Sequence, residues 1–230
     1  LLIGLAVAAV VAFCNATSSA QLAAQYPTSG GTYVYGRERL GEWPGFAAGW
    51  TFVIGKTASS AAMALVFAAY VAPAGYTELV AILAITALTT VNCFGITRTA
   101  VLTKILVTAV LTVLVIAVVL GLTGSSVPAV DGLGSFTENG WYGILQSAGL
   151  LFFAFAGYAR IATLGEEVVR PERTIPRAIV SALGIALLVY TLVAVTLLTV
   201  LGPELLASSS APLVDLAVAS GHSWASPVMR

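Results

Sequence analysis

Leu150-Leu-Phe-Phe-Ala-Phe-Ala-Gly-Tyr-Ala-Arg-Ile-Ala-Thr-Leu-Gly-Glu-Glu167 decides how the rest of this chain is read. Together with the residues from Trp141 onward it is long and apolar enough to cross a bilayer as a helix, which takes about 20 residues. The same run predicts a break at about 153–158, because Gly157 stands among small neighbours and Arg160 follows before the span ends. A helix that parts at membrane depth strands N–H and C=O groups where no water reaches them. Such groups are tolerated where they face protein, a cavity or a ligand, and polar binding sites are built this way from apolar residues. A second reading stands beside the first. Gly149, Gly157 and Gly165, with Ala154, Ala156 and Ala162, also make a small-residue face against which another helix packs.

Composition sets the class. The 230 residues are 59% hydrophobic and 9% charged, against about a quarter charged in soluble domains. The chain cannot clothe itself in a water-compatible surface and is read as an integral membrane protein. Ten basic and ten acidic residues cancel, so the placement of charge carries the information. Cys14 and Cys93 lie in or beside apolar runs and are read as small buried hydrophobes, with neither disulfide nor metal expected. His222 is the single histidine and is read as solvated. No cofactor, metal or nucleic-acid partner is expected.

Six apolar segments follow, at about 1–20, 46–71, 79–97, 100–122, 141–167 and 177–201, each close to the length that spans a bilayer. Period-two alternation is missing and the runs are too long for barrel strands, so the class is all-α. Arg37 and Arg39, Arg98 and Lys104, and Arg170, Arg173 and Arg177 all fall in alternate connections. The intervening connections hold only Glu78, Asp131 and Glu138. The positive-inside rule places the first set in the cytoplasm of a multi-pass protein of the cell membrane. Both ends of the six-span chain then lie outside, and the chain opens with Leu within an apolar run. That geometry predicts a single membrane domain truncated at both ends, with residues 203–230 an extracellular connection leading to a further helix. Within it, Ser210 to Gly221 is expected to form a short helix closed by the glycine.

The first cytoplasmic connection contains Pro27-Thr-Ser-Gly-Gly-Thr-Tyr33, followed by Gly45-Phe-Ala-Ala-Gly-Trp50. These residues resemble the second-to-third-helix region of the amino acid–polyamine–organocation superfamily of permeases. Phe152-Phe-Ala-Phe-Ala-Gly-Tyr158, then Glu166-Glu167, then Pro171-Glu-Arg-Thr-Ile-Pro-Arg-Ala-Ile179, resemble its sixth helix and the loop after it. The two motifs occur in the right order, each on the side that charge assigns to it. The resemblance covers essentially the whole chain, as helices two to seven and the start of the eighth. It implies an inverted-repeat transporter fold whose substrate is held by unwound parts of helices one and six. It further implies secondary-active transport of an amino acid or related amine by alternating access, coupled to H+, Na+ or a counter-substrate. The alternatives are a non-transporting sensor or subunit with the same fold, and a membrane-embedded enzyme. Paired acids at depth and metal-ligand spacing are missing, which disfavours the enzyme.

On this reading Phe152, Phe153, Ala154, Phe155, Ala156 and Gly157 are expected to bind substrate, their freed carbonyls holding an ammonium group and the aromatic rings supplying walls. Lys56 joins them by resemblance, since some relatives place a substrate-reaching polar residue at about this level of helix three. The spacing around Gly49, Gly55 and Lys56 does not fit a phosphate-binding loop. Lys56 either reaches the site or snorkels its four-carbon stem to the interface. Arg160 is either a pore-facing cation or a residue that is paired with backbone carbonyls or snorkels inward. Relatives often carry an acid at the position of Ala159, and this chain does not. No Asp or Glu lies deep in a span, so a carboxylate proton relay is not expected here. Glu166 and Glu167, close to a helix C-terminus, oppose its dipole and call for basic partners. Arg37, Arg39, Arg170 and Arg173 lie on the same side, and Glu166, Glu167, Arg37 and Arg160 are assigned to a cytoplasmic gate. The other reading of the acids is a hydrated helix end.

Overall fold

The computed structural model describes residues 1–73, 75–94, 96–124, 140–163, 166 and 168–229, with 96–99 described by backbone alone. Ten α-helices follow one another among these residues, and no strand. They are α1 (Leu2–Gln25), α2 (Thr32–Leu40), α3 (Glu42–Val71), α4 (Thr77–Cys93) and α5 (Ile96–Thr123), then α6 (Gly140–Phe155), α7 (Tyr158–Ile161), α8 (Pro171–Ser208), α9 (Pro212–Ala219) and α10 (Ser226–Met229). By length and apolar composition, five stretches suffice to cross a membrane: Leu2–Gln25, Glu42–Val71, Ala100–Thr123, Gly140–Ile161 and Pro171–Ser208. They correspond to five of the six segments read from the sequence. The segment expected at 79–97 is the shorter apolar helix α4, which stops at Cys93, where the Phe94 N–H bonds the Val91 carbonyl at 3.0 Å. Helix α8 runs past the expected end of its span and bends at Gly202 (φ 72°, ψ 169°), outside the helical region.

The chain divides into two compact units. One consists of Leu1–Gly55 with Ser135–Thr191, the other of Lys56–Gly134 with Leu192–Arg230, so α3 and α8 contribute residues to both.

In the first unit, α1 lies against α6. The buried face of α1 is Gly4, Leu5, Ala8, Ala12, Ala16, Ala20 and Ala23. From Leu5 onward these positions recur at three- and four-residue intervals, which is one face of an α-helix. A hydrogen at Gly4 and a methyl at every step from Ala8 onward let two helices approach closely, the arrangement that holds apolar helices together where burial from water gives no drive. At Gly4 even one added carbon would collide with Ser147 of α6.

In the second unit, α9 and α10 cover the end of α5. Ala117, Leu216, Ala217, Ala225 and Met229 form one buried cluster in this unit, and Ala64, Ala68 and Ala81 another. Gly121 and Gly124 admit the neighbouring chain, since a side chain at Gly121 would strike Thr196 and one at Gly124 would meet Ser220 Cβ at 2.8 Å. The short helix expected between Ser210 and Gly221 is α9, and Gly221 (φ 80°) turns the chain out of it. His222, read as solvated, is instead half-buried, its ring edge-on to Trp224 at 6.5 Å. Cys14 and Cys93, expected to be buried, are exposed free thiols. They project from helices whose outward faces are themselves apolar, so exposure here costs a small hydrophobe little.

Candidate functional site

The helix that carries the decisive stretch is interrupted, over a shorter length than 153–158. Phe153, Ala154 and Phe155 complete α6, and α7 begins at Tyr158, leaving Ala156 and Gly157 between them. Hydrogen bonds across the gap tighten to the i→i−3 kind. Ala156 N–H donates to Phe153 at 3.2 Å, Ala159 to Ala156 at 3.3 Å, Arg160 to Gly157 at 3.1 Å and Thr163 to Arg160 at 3.1 Å. This is a turn of tighter helix inside an α-helix, a common mark of a hinge or of a sequence under strain. Gly157 sits in the ordinary helical region (φ −59°, ψ −30°). Glycine is therefore not required here by its dihedrals. Nor is it required by close packing, because among the described residues no atom lies within 4 Å of where its Cβ would be. The same holds for Gly149, so the packing face that the sequence also allowed does not form at these two glycines.

The three phenylalanines do not make one wall. Phe152 and Phe155, three apart, share a face of α6, and Phe155 is buried at 4% exposure. Phe153 is turned away from them and is exposed. Ala154 and Gly157 are exposed, and Ala156 is half-buried. Phe155 meets Tyr190 of α8 edge-on, with ring centroids 5.2 Å apart. The Tyr190 hydroxyl donates to the Ala154 carbonyl at 3.1 Å. Sequence reading passed over Tyr190, yet a phenol in the apolar run Leu187-Leu-Val-Tyr-Thr-Leu192 is a signal. Its hydroxyl needs a partner wherever water is excluded.

Beyond the interruption, the chain is held by the loop that carries the first motif. Ser29 N–H donates to Glu166 Oε1 at 3.2 Å. Tyr35 is buried, and its hydroxyl donates to the carbonyl of Ala162 at 3.4 Å. Burial pushes the Tyr35 phenol above its ordinary pKa. Gly30 (φ 122°) and Gly31 (φ 52°) take backbone angles that only glycine adopts readily, and a Cβ on Gly31 would stand 3.0 Å from Thr163 Cγ2. The sequence Ser-Gly-Gly-Thr-Tyr thus shapes a loop that docks on the end of the interrupted helix.

The charged residues assigned to a cytoplasmic gate take the following partners among the described residues. Arg37 pairs with Glu42 at 3.4 Å, both exposed. The two are near neighbours across the Gly41 turn, so this pair orders less chain than one reaching a distant acid. Arg39 donates to Gln25 Oε1 and sits 5.5 Å over the Tyr26 ring. Glu166 takes a backbone N–H in place of an arginine, and Glu167 lies outside the described residues. Arg160 is exposed and makes a local clasp: its Nη1 donates to Thr163 Oγ1 at 3.3 Å, while that hydroxyl donates to the Arg160 carbonyl at 2.8 Å. Lys56 belongs to the second unit, half-buried on α3, where Ser60 bonds its carbonyl at 2.9 Å. The structure therefore brings Ser29, Gly31, Tyr35, Ala162, Thr163 and Glu166 together, and separately Ala154, Phe155 and Tyr190. An apolar cleft of about 330 Å³ opens beside the same loop, lined in part by Tyr33, Phe46 and Trp50.

Comparison with known proteins supplies the setting for this geometry. The family described as amino acid permease matches residues 1–229. A protein described as an uncharacterized transporter in Mycobacterium tuberculosis is 58% identical over all of this chain, which covers 52% of that protein. A chloroplastic cationic amino acid transporter of Arabidopsis thaliana is 22% identical over the full chain, covering 44% of its own length. A methylthioribose transporter of Bacillus subtilis is 27% identical over 86% of the chain and 46% of its own. The chain spans about half the length of the curated relatives that it matches.

Proposed function

Because the chain belongs to the amino acid permease family, we propose that it serves secondary-active transport of an amino acid or related amine across a cell membrane. The observation that carries this reading is the interruption at Ala156–Gly157, inside a helix long and apolar enough to span the bilayer. In lipid, a peptide group left without a partner costs several kcal/mol, so a tightened turn at this depth is worth keeping where it meets a ligand. Carbonyls on its edge suit an ammonium group. Phe152 and Phe153 border the place. Arg160, three residues past the interruption, favours neutral or acidic side chains on the substrate over cationic ones, by repulsion. Access alternates as one set of helices rocks against another. The loop that holds Ala162 and Glu166 acts as the cytoplasmic latch. H+, Na+ or a counter-substrate drives the cycle.

Uptake of labelled amino acids by the protein in proteoliposomes tests the reading. Saturable uptake that depends on an imposed H+ or Na+ gradient, or on internal substrate, is the expected result. Methylthioribose belongs in the panel as the contrasting solute. Uptake of that sugar alone would overturn the amine reading, and uptake of none would overturn transport.

A further inference from the structure

We infer that Tyr190 is a specificity-determining residue: its hydroxyl is an internal competitor for the Ala154 carbonyl, which an incoming ammonium group must displace. The inference rests on the proposed binding of substrate at the interrupted helix and adds to it a residue that the sequence motifs leave out.

Around the interruption, the carbonyls of Phe153, Ala156, Gly157, Tyr158 and Arg160 accept backbone bonds. Ala154, on its edge, accepts from the Tyr190 hydroxyl at 3.1 Å. The tyrosine is not free to swing away at random, because Phe155, buried and edge-on at 5.2 Å, holds the ring. Phe155 and Ala154 are adjacent, so one residue of α6 fixes the ring and the next receives its proton donor. A phenol–carbonyl bond joins two neutral groups. An ammonium group makes a charge-assisted bond to the same oxygen, roughly twice as strong. A protonated amine therefore gains in bond strength on replacing the phenol, which offsets part of the cost of stripping water from its charge, whereas a neutral donor gains almost nothing and a molecule with no donor cannot replace it. Tyr190 sets a threshold that a cationic head group crosses. It also keeps the carbonyl satisfied whenever no such group is bound, which matters where water is excluded.

Tyr190→Phe removes the competitor and keeps the ring against Phe155. Apparent KM for a transported amino acid is expected to fall about two- to tenfold, the span that corresponds to one ordinary hydrogen bond. KM for its deaminated carboxylate analogue, measured by competition against the same uptake, should stay unchanged. A purely structural role would shift both alike or lower the maximal rate without this split. As a second measurement, 3-fluorotyrosine placed at position 190 in otherwise unaltered protein reports on the hydroxyl through its 19F resonance. The resonance should move on saturation with the amino acid and not with the deaminated analogue. An unchanged or raised KM in Tyr190→Phe, or a 19F signal indifferent to the amine, would overturn the inference while leaving transport standing. Loss of all saturable uptake in the unaltered protein would instead overturn the functional reading, and this inference with it.

Discussion

Two runs of small residues in the first unit behave in opposite ways. In α1, alanines at positions 8, 12, 16 and 20 are buried to between 0% and 4% exposure and keep the helix continuous against α6. In Ala154-Phe-Ala-Gly157, similar residues end a helix, and Gly157 stands exposed, with no atom of the described residues beyond its chain neighbours within 4 Å of its missing side chain. Composition hardly differs between them. Spacing does: a four-residue repeat makes a groove along one face, whereas small residues two apart, broken by a phenylalanine, leave little to lock the next turn in place. In the first region smallness serves contact. In the second it lowers the cost of departing from the regular ladder.

The sharpest way to break this contrast is to enlarge the stripe. Ala12→Leu forces a branched side chain into a site with 0% exposure and should cost about 1–3 kcal/mol, read as a lower melting temperature of the detergent-solubilised protein. A melting temperature unchanged from the parent would remove the stripe as the packing element. Next comes the loop that holds the chain beyond the interruption. Gly31→Ala places an L residue at φ 52° and should cost about 1–2 kcal/mol, with slowed uptake if the loop is the proposed latch.

Gly157→Ala reverses the sign. The glycine already has helical angles and open space around it, so alanine should stabilise the helix by about 0.5–1 kcal/mol while lowering the maximal rate of uptake. A variant both more stable and equally active would reduce the interruption to an incidental feature. Smallest of all, Glu42→Gln breaks an exposed pair with Arg37, a contact worth about 0–1 kcal/mol, and should leave melting and uptake close to those of the parent.

What the sequence made readable follows from local physics. Long apolar runs specify spanning helices, and Gly157 among small neighbours marked the interruption to within a few residues. The extent of the break was overdrawn because no proline stands at 153–158 and Gly157 keeps helical angles, so the chain has reason only to tighten. Helix α4 was read through to 97 because Phe94 and Ile96 continue the apolar run past the structural end at Cys93. Ion pairs were the hardest to assign. Arg37 has an acid within a few residues, and an expectation built on which side of the membrane a charge occupies does not weigh a near partner against a far one. Tyr190 and Ser29 take partners 36 and 137 residues away. Nothing in either local sequence names those partners, although a phenol within an apolar span announces that it needs one. The alanine repeat of α1 was present in the sequence all along and required only counting by fours.

Hydrogen–deuterium exchange on the reconstituted protein, with and without a saturating amino acid, tests the central claim most directly. The account predicts that exchange of the amides from Phe155 to Arg160 slows when the amino acid is present, while those along the buried stripe of α1 stay as they were. Equal exchange at the interruption in both conditions, during demonstrable uptake of that amino acid, would contradict it.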